Sequence, residues 1–304
     1  MAAPARPLHA VPNGPTPLAL KARDGTLLHA DQWNPDARGR AVVFSHGFGQ
    51  TRHAWRAAAT TVAARGHRCI AVDGRGHGAS GWAADGRYAF AQFADDARVV
   101  TAAVGGRPVW VGASMGGLIG LVVAADAEVA PYEALVLVDI TPRWERAGVE
   151  RILAFMRAHP EGFETVEQAQ QAVTDYLPHR AAQDRAPARL EKLLVRRADG
   201  RWRWHWDPRM LDMVSADAGG MDGRLHEAAR RLRIPVLLVS GGRSDVVSEH
   251  TIEEFLALAP HAEHQRIDDA THMVAGDAND RFGALIAAFL ERLPAGGRPP
   301  VPES

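Results

Sequence analysis

Val109-Trp110-Val111-Gly112-Ala113-Ser114-Met115-Gly116-Gly117 begins with an apolar triplet that reads as a short buried strand, and the apolar run after it, to about residue 127, reads as a helix. The junction between them fits G-x-S-x-G, centred on Ser114. Small residues on both sides let the backbone turn sharply from strand to helix, which lifts the serine hydroxyl clear of a sheet. The same five letters in an arbitrary glycine-rich loop would say little. With a strand before and a helix after, Ser114 is the candidate nucleophile.

Working outward, short apolar runs alternate with longer helical patterns on both sides of this turn. Residues 26–33, 40–45 and 69–72 read as strands, with a helix over about 51–65 that ends at Gly66 and another over about 88–103. Further along, strands are expected at Ala134–Val138, 235–239 and Glu263–Ile267, with helices at Glu249–Leu258 and 279–290. Such alternation is the pattern of βα units and predicts one doubly wound, largely parallel sheet of roughly eight strands.

Residues 141–230 break the rhythm. They hold amphipathic helical patterns, such as 149–158 and Val166–Tyr176, but no continuous apolar strand, so they read as an insertion. Within it, Asp199-Gly200 precedes Trp202, Trp204 and Trp206, whose alternate spacing puts three rings on one face of an extended segment. Together with Trp144 they are candidates either for a small subdomain's core or for the wall of a substrate pocket. The expected division is core over 17–140 and 231–293, insertion over 141–230, and Pro/Gly-rich tails over 1–16 and 294–304.

The 304 residues carry 35 Lys+Arg against 36 Asp+Glu, so no net field favours nucleic acid or an anionic membrane surface. The expected partner is a small molecule; the sequence leaves oligomeric state open. The first twenty residues match neither a secretory signal nor a membrane span, which makes a cytoplasmic location the expectation. The single cysteine, Cys69, sits in an apolar run and reads as a small core residue. No H-E-x-x-H, paired C-x-x-C or phosphate-binding glycine loop is present, so neither a metal nor another cofactor is expected.

Two further motifs stand at the ends of expected strands: His46-Gly47-Phe48-Gly49 after residues 40–45, and Asp73-Gly74-Arg75-Gly76-His77-Gly78-Ala79-Ser80 after 69–72. With the serine turn and the later segments Gly241-Gly242-Arg243-Ser244-Asp245 and Asp269-Ala270-Thr271-His272-Met273, the chain resembles the α/β-hydrolase superfamily. The resemblance spans most of residues 26–290 apart from the insertion. It implies a mostly parallel eight-stranded sheet with flanking helices, a Ser-acid-His triad in that chain order, and a helical cap inserted after the sixth strand.

Carried over residue by residue, the resemblance makes His272 the base and points to the backbone N–H groups of Phe48 and Met115 as the oxyanion hole. It makes His46 a structural residue of its loop. Asp73, Arg75 and His77 are read as fixing their own loop. For the acid the family's usual position selects Asp245, with Asp139 as the competitor after the preceding strand and Asp268 or Asp269 behind it. The activity implied is hydrolysis of a carboxylic ester or lactone of a moderately apolar substrate, with Trp144 and Trp204 as candidate substrate contacts. Relatives of this fold also use the same triad on carbon–carbon or other acyl bonds, or for cofactor-free perhydrolysis. A ligand-binding protein with an idle triad is the reading from another class.

Overall fold

A computed structural model describes residues 14–126, 130–177, 190–217, 221–277 and 279–294. Most of the two expected tails lies outside the described residues. Eight strands form the main sheet: β1 (Thr16–Lys21), β2 (Leu27–Trp33), β3 (Ala41–Ser45), β4 (Arg68–Val72), β5 (Val109–Ala113), β6 (Ala134–Val138), β9 (Val236–Gly241) and β10 (Glu263–Ile267). Their order across the sheet is β1-β2-β4-β3-β5-β6-β9-β10. The β1/β2 and β2/β4 pairs are antiparallel, and every pair from β4 to β10 is parallel.

Side chains of the central strands alternate between two apolar layers, as the period of two requires. Val42, Phe44, Val109, Val111, Val136 and Val138 face a core closed by α1 (Arg56–Ala63) and α9 (Asn279–Arg292). Val43, Ile70, Trp110, Leu135 and Leu137 face the opposite core, covered by α2 (Phe90–Val104), α3 (Met115–Asp126), α7 (Met221–Arg231) and α8 (Glu249–Leu258). Both faces are thus buried, which is why these strands read as continuous apolar runs.

The edge strand β1 was not among the strands expected from the sequence. Its side chains alternate between exposed and half-buried, and Pro17 sits within it, so it lacks the apolar signal of a central strand.

Between β6 and β9 the chain leaves the sheet. It forms α4 (Arg146–Arg157), α5 (Val166–Tyr176), a two-stranded ribbon of β7 (Leu194–Arg196) and β8 (Trp202–Trp204), then α6 (Met210–Asp217) and α7. The ribbon's first strand was not anticipated, because three residues carry no readable period. The last helix of the interval, α7, packs on α3 and α8 and belongs to the layer that flanks the main sheet. Among the described residues no helix is long and apolar enough to cross a membrane.

Candidate active site

Parallel strands deliver their C-terminal ends to one edge of the sheet, where an open α/β fold places its ligands. Here the register pairs Ser45 with Gly112, Ala113 with Val138, and Gly241 with Ile267. The residues that follow β3, β5, β6, β9 and β10 are therefore neighbours in space although they span more than half the chain.

Ser114 adopts φ 47°, a left-handed conformation that a non-glycine residue takes only under constraint. Its N–H is held by the Val138 carbonyl at 3.1 Å, and its own carbonyl accepts from Gly117 at 2.9 Å. The turn is tight enough to leave no room for neighbouring side chains. A Cβ on Gly112 would lie 2.3 Å from the Gly116 oxygen, and one on Gly116 would lie 2.5 Å from the Ser45 oxygen.

His272 follows β10, and its Nδ1 lies 2.7 Å from Oδ2 of Asp139. Asp139 is fully buried at the end of β6 and also takes φ 49°. Its carboxylate further accepts from Gly241 N–H at 2.7 Å and from the Ser244 hydroxyl at 2.5 Å. Donors on three sides hold it in one orientation. Because Asp139 accepts at Nδ1, the ring presents Nε2 outward as the free basic nitrogen.

The expectation that Asp245 partners the histidine is corrected by this geometry. The Asp245 carboxylate instead meets Arg151 of α4, at 2.7 Å from Nε and 2.5 Å from Nη2, on the protein surface. Ser244 turns inward to Asp139, so the next residue in the loop turns outward to the inserted segment. Asp268 and Asp269 also lie outside the cluster, in ion pairs with Arg266 and Arg281 respectively.

Phe48 lies in the loop after β3 and Met115 opens α3, where a first-turn N–H has no acceptor within the helix. On either side of Phe48 the N–H groups are committed: Gly47 donates to Gln50 Oε1 at 3.3 Å and Gly49 to His77 Nε2 at 3.1 Å. Phe48 N–H itself has no acceptor among the described residues. Phe48 and Met115 both border the cavity space beside Ser114.

Three buried histidines clamp that loop. His46 accepts from Gly74 N–H at 2.9 Å through Nε2 and donates from Nδ1 to the Gly47 carbonyl at 2.8 Å. His77 accepts from Gly49 and donates from Nδ1 to the Arg75 carbonyl at 3.1 Å. His205, from the inserted segment, accepts from Gly78 N–H at 2.8 Å and donates from Nε2 to the Gly49 carbonyl at 3.2 Å. Each ring bridges one N–H and one C=O, so each must be neutral. Burial favours the same state: it lowers the pKa of His46, lowers that of His77 well below the ordinary imidazole value, and pushes His205 down to about 4.

The loop 73–80 is anchored separately. Asp73 accepts from the Arg52 backbone at 2.6 Å and from Ala79 at 2.9 Å, and it pairs with the Arg52 guanidinium. Arg75 makes a two-pronged bond to Asp96, both distances 2.6 Å. His205 is the residue that sequence reasoning missed. It sits between Trp204 and Trp206, and the alternate spacing that put those rings on one face implied that His205 and Asp207 share the other.

Two cavities meet at Ser114. The larger, about 240 Å³, runs past His272 and is walled by Phe155, Val173, Tyr176, Trp204 and Trp206. The smaller, about 120 Å³, lies on the Met115 side under Trp144, Val149, Leu153, Met213 and Met221. Ser114, Phe48 and Ile152 border both. The two tryptophans expected to contact substrate thus line different cavities. Trp204 is also largely buried, stacked on Trp206 at 4.9 Å and packed against Phe155 and Phe163, so it serves the packing of the insertion as well. Among the described residues no group of three or more His, Cys, Asp or Glu side chains is placed to share a metal ion.

A strained serine between strand and helix, a histidine backed by a buried aspartate, and a sheet of this order define a hydrolase-type α/β architecture. Residues 40–278 match the family described as alpha/beta hydrolase fold, and the chain belongs to it. Among curated proteins it is 30% identical over 288 residues to esterase Rv0045c of Mycobacterium tuberculosis, covering 92% of this chain and 91% of that one. It is 29% identical over 253 residues to the 3-hydroxybutyrate-oligomer hydrolase of Cupriavidus necator, covering 79% and 85% of the two chains. The crystal structure of E-2-(acetamidomethylene)succinate hydrolase superposes with a TM-score of 0.79 over 91% of this chain and 99% of that one, at 22% identity, a likeness of fold.

Proposed function

We propose that this protein is a serine ester hydrolase working through an acyl-enzyme at Ser114, with His272 as base and Asp139 as the triad acid. The observation that carries this reading is the Asp139–His272 bond at the strand ends beside a serine held at positive φ. The Ser114 hydroxyl attacks the substrate carbonyl carbon while His272 Nε2 takes its proton, and Asp139 stabilises the imidazolium that results. Charge develops on the carbonyl oxygen, where the Phe48 and Met115 N–H groups receive it. His272 then protonates the departing alcohol oxygen, and a water activated by the same nitrogen releases the acid.

The esterase and the hydroxybutyrate-oligomer hydrolase named above act on esters, which supports a carboxylic ester or lactone as the bond cleaved. The apolar walls of both cavities favour a small, moderately apolar substrate. In this reading the chain between β6 and β9 acts as a cap: α4, α5 and the tryptophan segment roof the larger cavity and shield the acyl-enzyme from bulk water. A fluorophosphonate probe should label Ser114 in folded protein, and p-nitrophenyl butanoate should be turned over without peroxide. Neither should occur with Ser114→Ala. Absence of labelling at Ser114 in folded wild-type protein overturns the reading.

A further inference from the structure

We infer that the two cavities divide the substrate, the smaller taking the acyl chain and the larger the leaving alcohol; this rests on the ester-hydrolase reading above. The argument comes from where protons must go. The leaving oxygen has to receive its proton from His272, and the water that ends the cycle has to be activated there. His272 borders the larger cavity and not the smaller. An alcohol in the larger cavity leaves along the path by which water enters, whereas an acyl chain there would obstruct that water for the lifetime of the acyl-enzyme. In the ester-hydrolase reading the Met115 N–H receives the oxyanion, and Met115 borders the smaller cavity, so a carbonyl held by that N–H directs its alkyl substituent there.

Size and chemistry refine the substrate class. An apolar cavity of about 150 Å³ accommodates benzene, so about 120 Å³ takes an acyl chain of roughly four to six carbons. Met115, Met213 and Met221 in its wall are unbranched and adaptable, which predicts a broad optimum. The larger cavity carries Gln50, Gln170 and Tyr176 among its aromatic walls, which suits a bulkier alcohol bearing a polar function.

Two ester series separate the sites: one varies the acyl chain on p-nitrophenol, the other varies the alcohol on a butanoyl group. Val149→Phe, which narrows the smaller cavity, should shorten the preferred acyl chain with little change across the alcohol series, and Leu153→Ala should lengthen it. Val173→Phe, in the larger cavity, should alter only the alcohol series. The reverse pattern, or both series shifting together in each variant, overturns the division. Wild-type protein that turns over no ester and escapes phosphonate labelling refutes the underlying hydrolase reading instead.

A second observation points independently to His205 as a positioning residue for the oxyanion donors. Its ring fixes the Gly49 carbonyl from the inserted segment, while His77 fixes the Gly49 N–H from the loop 73–80. Between them they hold Gly49, the residue that follows Phe48, on both its N–H and its carbonyl. His205→Asn places its amide oxygen near Nδ1, keeping the Gly78 bond but failing to reach Gly49. It should melt near wild type yet lose kcat by between about 10- and 100-fold with KM little changed. His205→Gln, whose longer amide reaches Gly49, should recover most of that loss. Wild-type kcat in His205→Asn, or no recovery in a folded His205→Gln, overturns the assignment.

Discussion

Oδ2 of Asp139 sits 2.7 Å from Nδ1 of His272, across 133 residues of sequence, with the Ser244 hydroxyl donating to the same carboxylate oxygen. An amide at position 139 can still occupy the space and accept from Gly241. Presented nitrogen-first to the histidine, it stabilises the wrong tautomer and no imidazolium. Asp139→Asn should therefore fold and lose turnover by a factor on the order of 10⁴. Steady-state rates on p-nitrophenyl butanoate, with circular dichroism as the control for folding, check this.

Asp245→Asn makes the opposite demand. Its partner Arg151 is half-exposed, and such pairs contribute about 0–1 kcal/mol. Turnover should stay within a few-fold of wild type and the melting temperature should barely move. A loss matching that of Asp139→Asn would show that the loop after β9 supplies a second functional carboxylate.

Acid should destabilise the fold through the histidine clamps. His205 titrates near 4 when folded, against 6.5 as the ordinary value. Between those limits the unfolded chain binds a proton that the folded chain refuses. Stability from this group is complete above about pH 6.5 and falls progressively toward pH 4, by on the order of a few kcal/mol. His46 and His77 shift in the same direction and add to the slope. Urea midpoints between pH 7.5 and 4.5 should fall steadily, and less steeply in His205→Gln. A flat profile contradicts the neutral clamps.

Trp204→Ala should cost both stability and selectivity, because the ring packs the insertion and lines the larger cavity. A loss of about 3–5 kcal/mol is expected for a buried tryptophan, alongside a changed alcohol preference and an unchanged acyl preference. Thermal melts and the two ester series measure these separately.

Gly112→Ala tests the tightness of the serine turn. The added Cβ would meet backbone atoms of Gly116 and Gly117 at 2.3–2.5 Å, with no flexible side chain to yield. Destabilisation of at least about 1–3 kcal/mol should accompany a loss of phosphonate reactivity at Ser114. Wild-type reactivity would mean the turn has room that the structure does not show.

The serine turn and the histidine were legible because each is specified locally: an apolar strand, a small-residue corner, a loop before a final helix. The acid was not. Asp139 and Asp245 both follow buried strands, and the choice depends on which side chain its loop turns inward. At position 139 a left-handed backbone and two extra donors decide it; at 245 the preceding serine takes the inward place. Those facts depend on contacts more than 100 residues apart. Likewise the edge strand β1 owes its existence to pairing with β2 and not to its own composition. Alternation at 202–206 was visible, and it marked the extended segment and its ring face but not the strand that pairs with it. The value of the intervening histidine emerged only once Gly49 and Gly78 lay beside it.

The run Trp204-His205-Trp206-Asp207 shows its rings to the cavity and its polar residues to the core, where Asp207 accepts from the Tyr88 hydroxyl at 2.7 Å and donates its N–H to Gly76. For protein engineering this means the inserted segment is no interchangeable cassette. A chimaera that grafts a foreign segment between residues 141 and 230 keeps Ser114 and His272 intact, yet it removes one of the three rings that set the neighbouring loop. Such a hybrid would inherit new selectivity together with a slackened scaffold, unless the histidine and aspartate of this run travel back with the recipient.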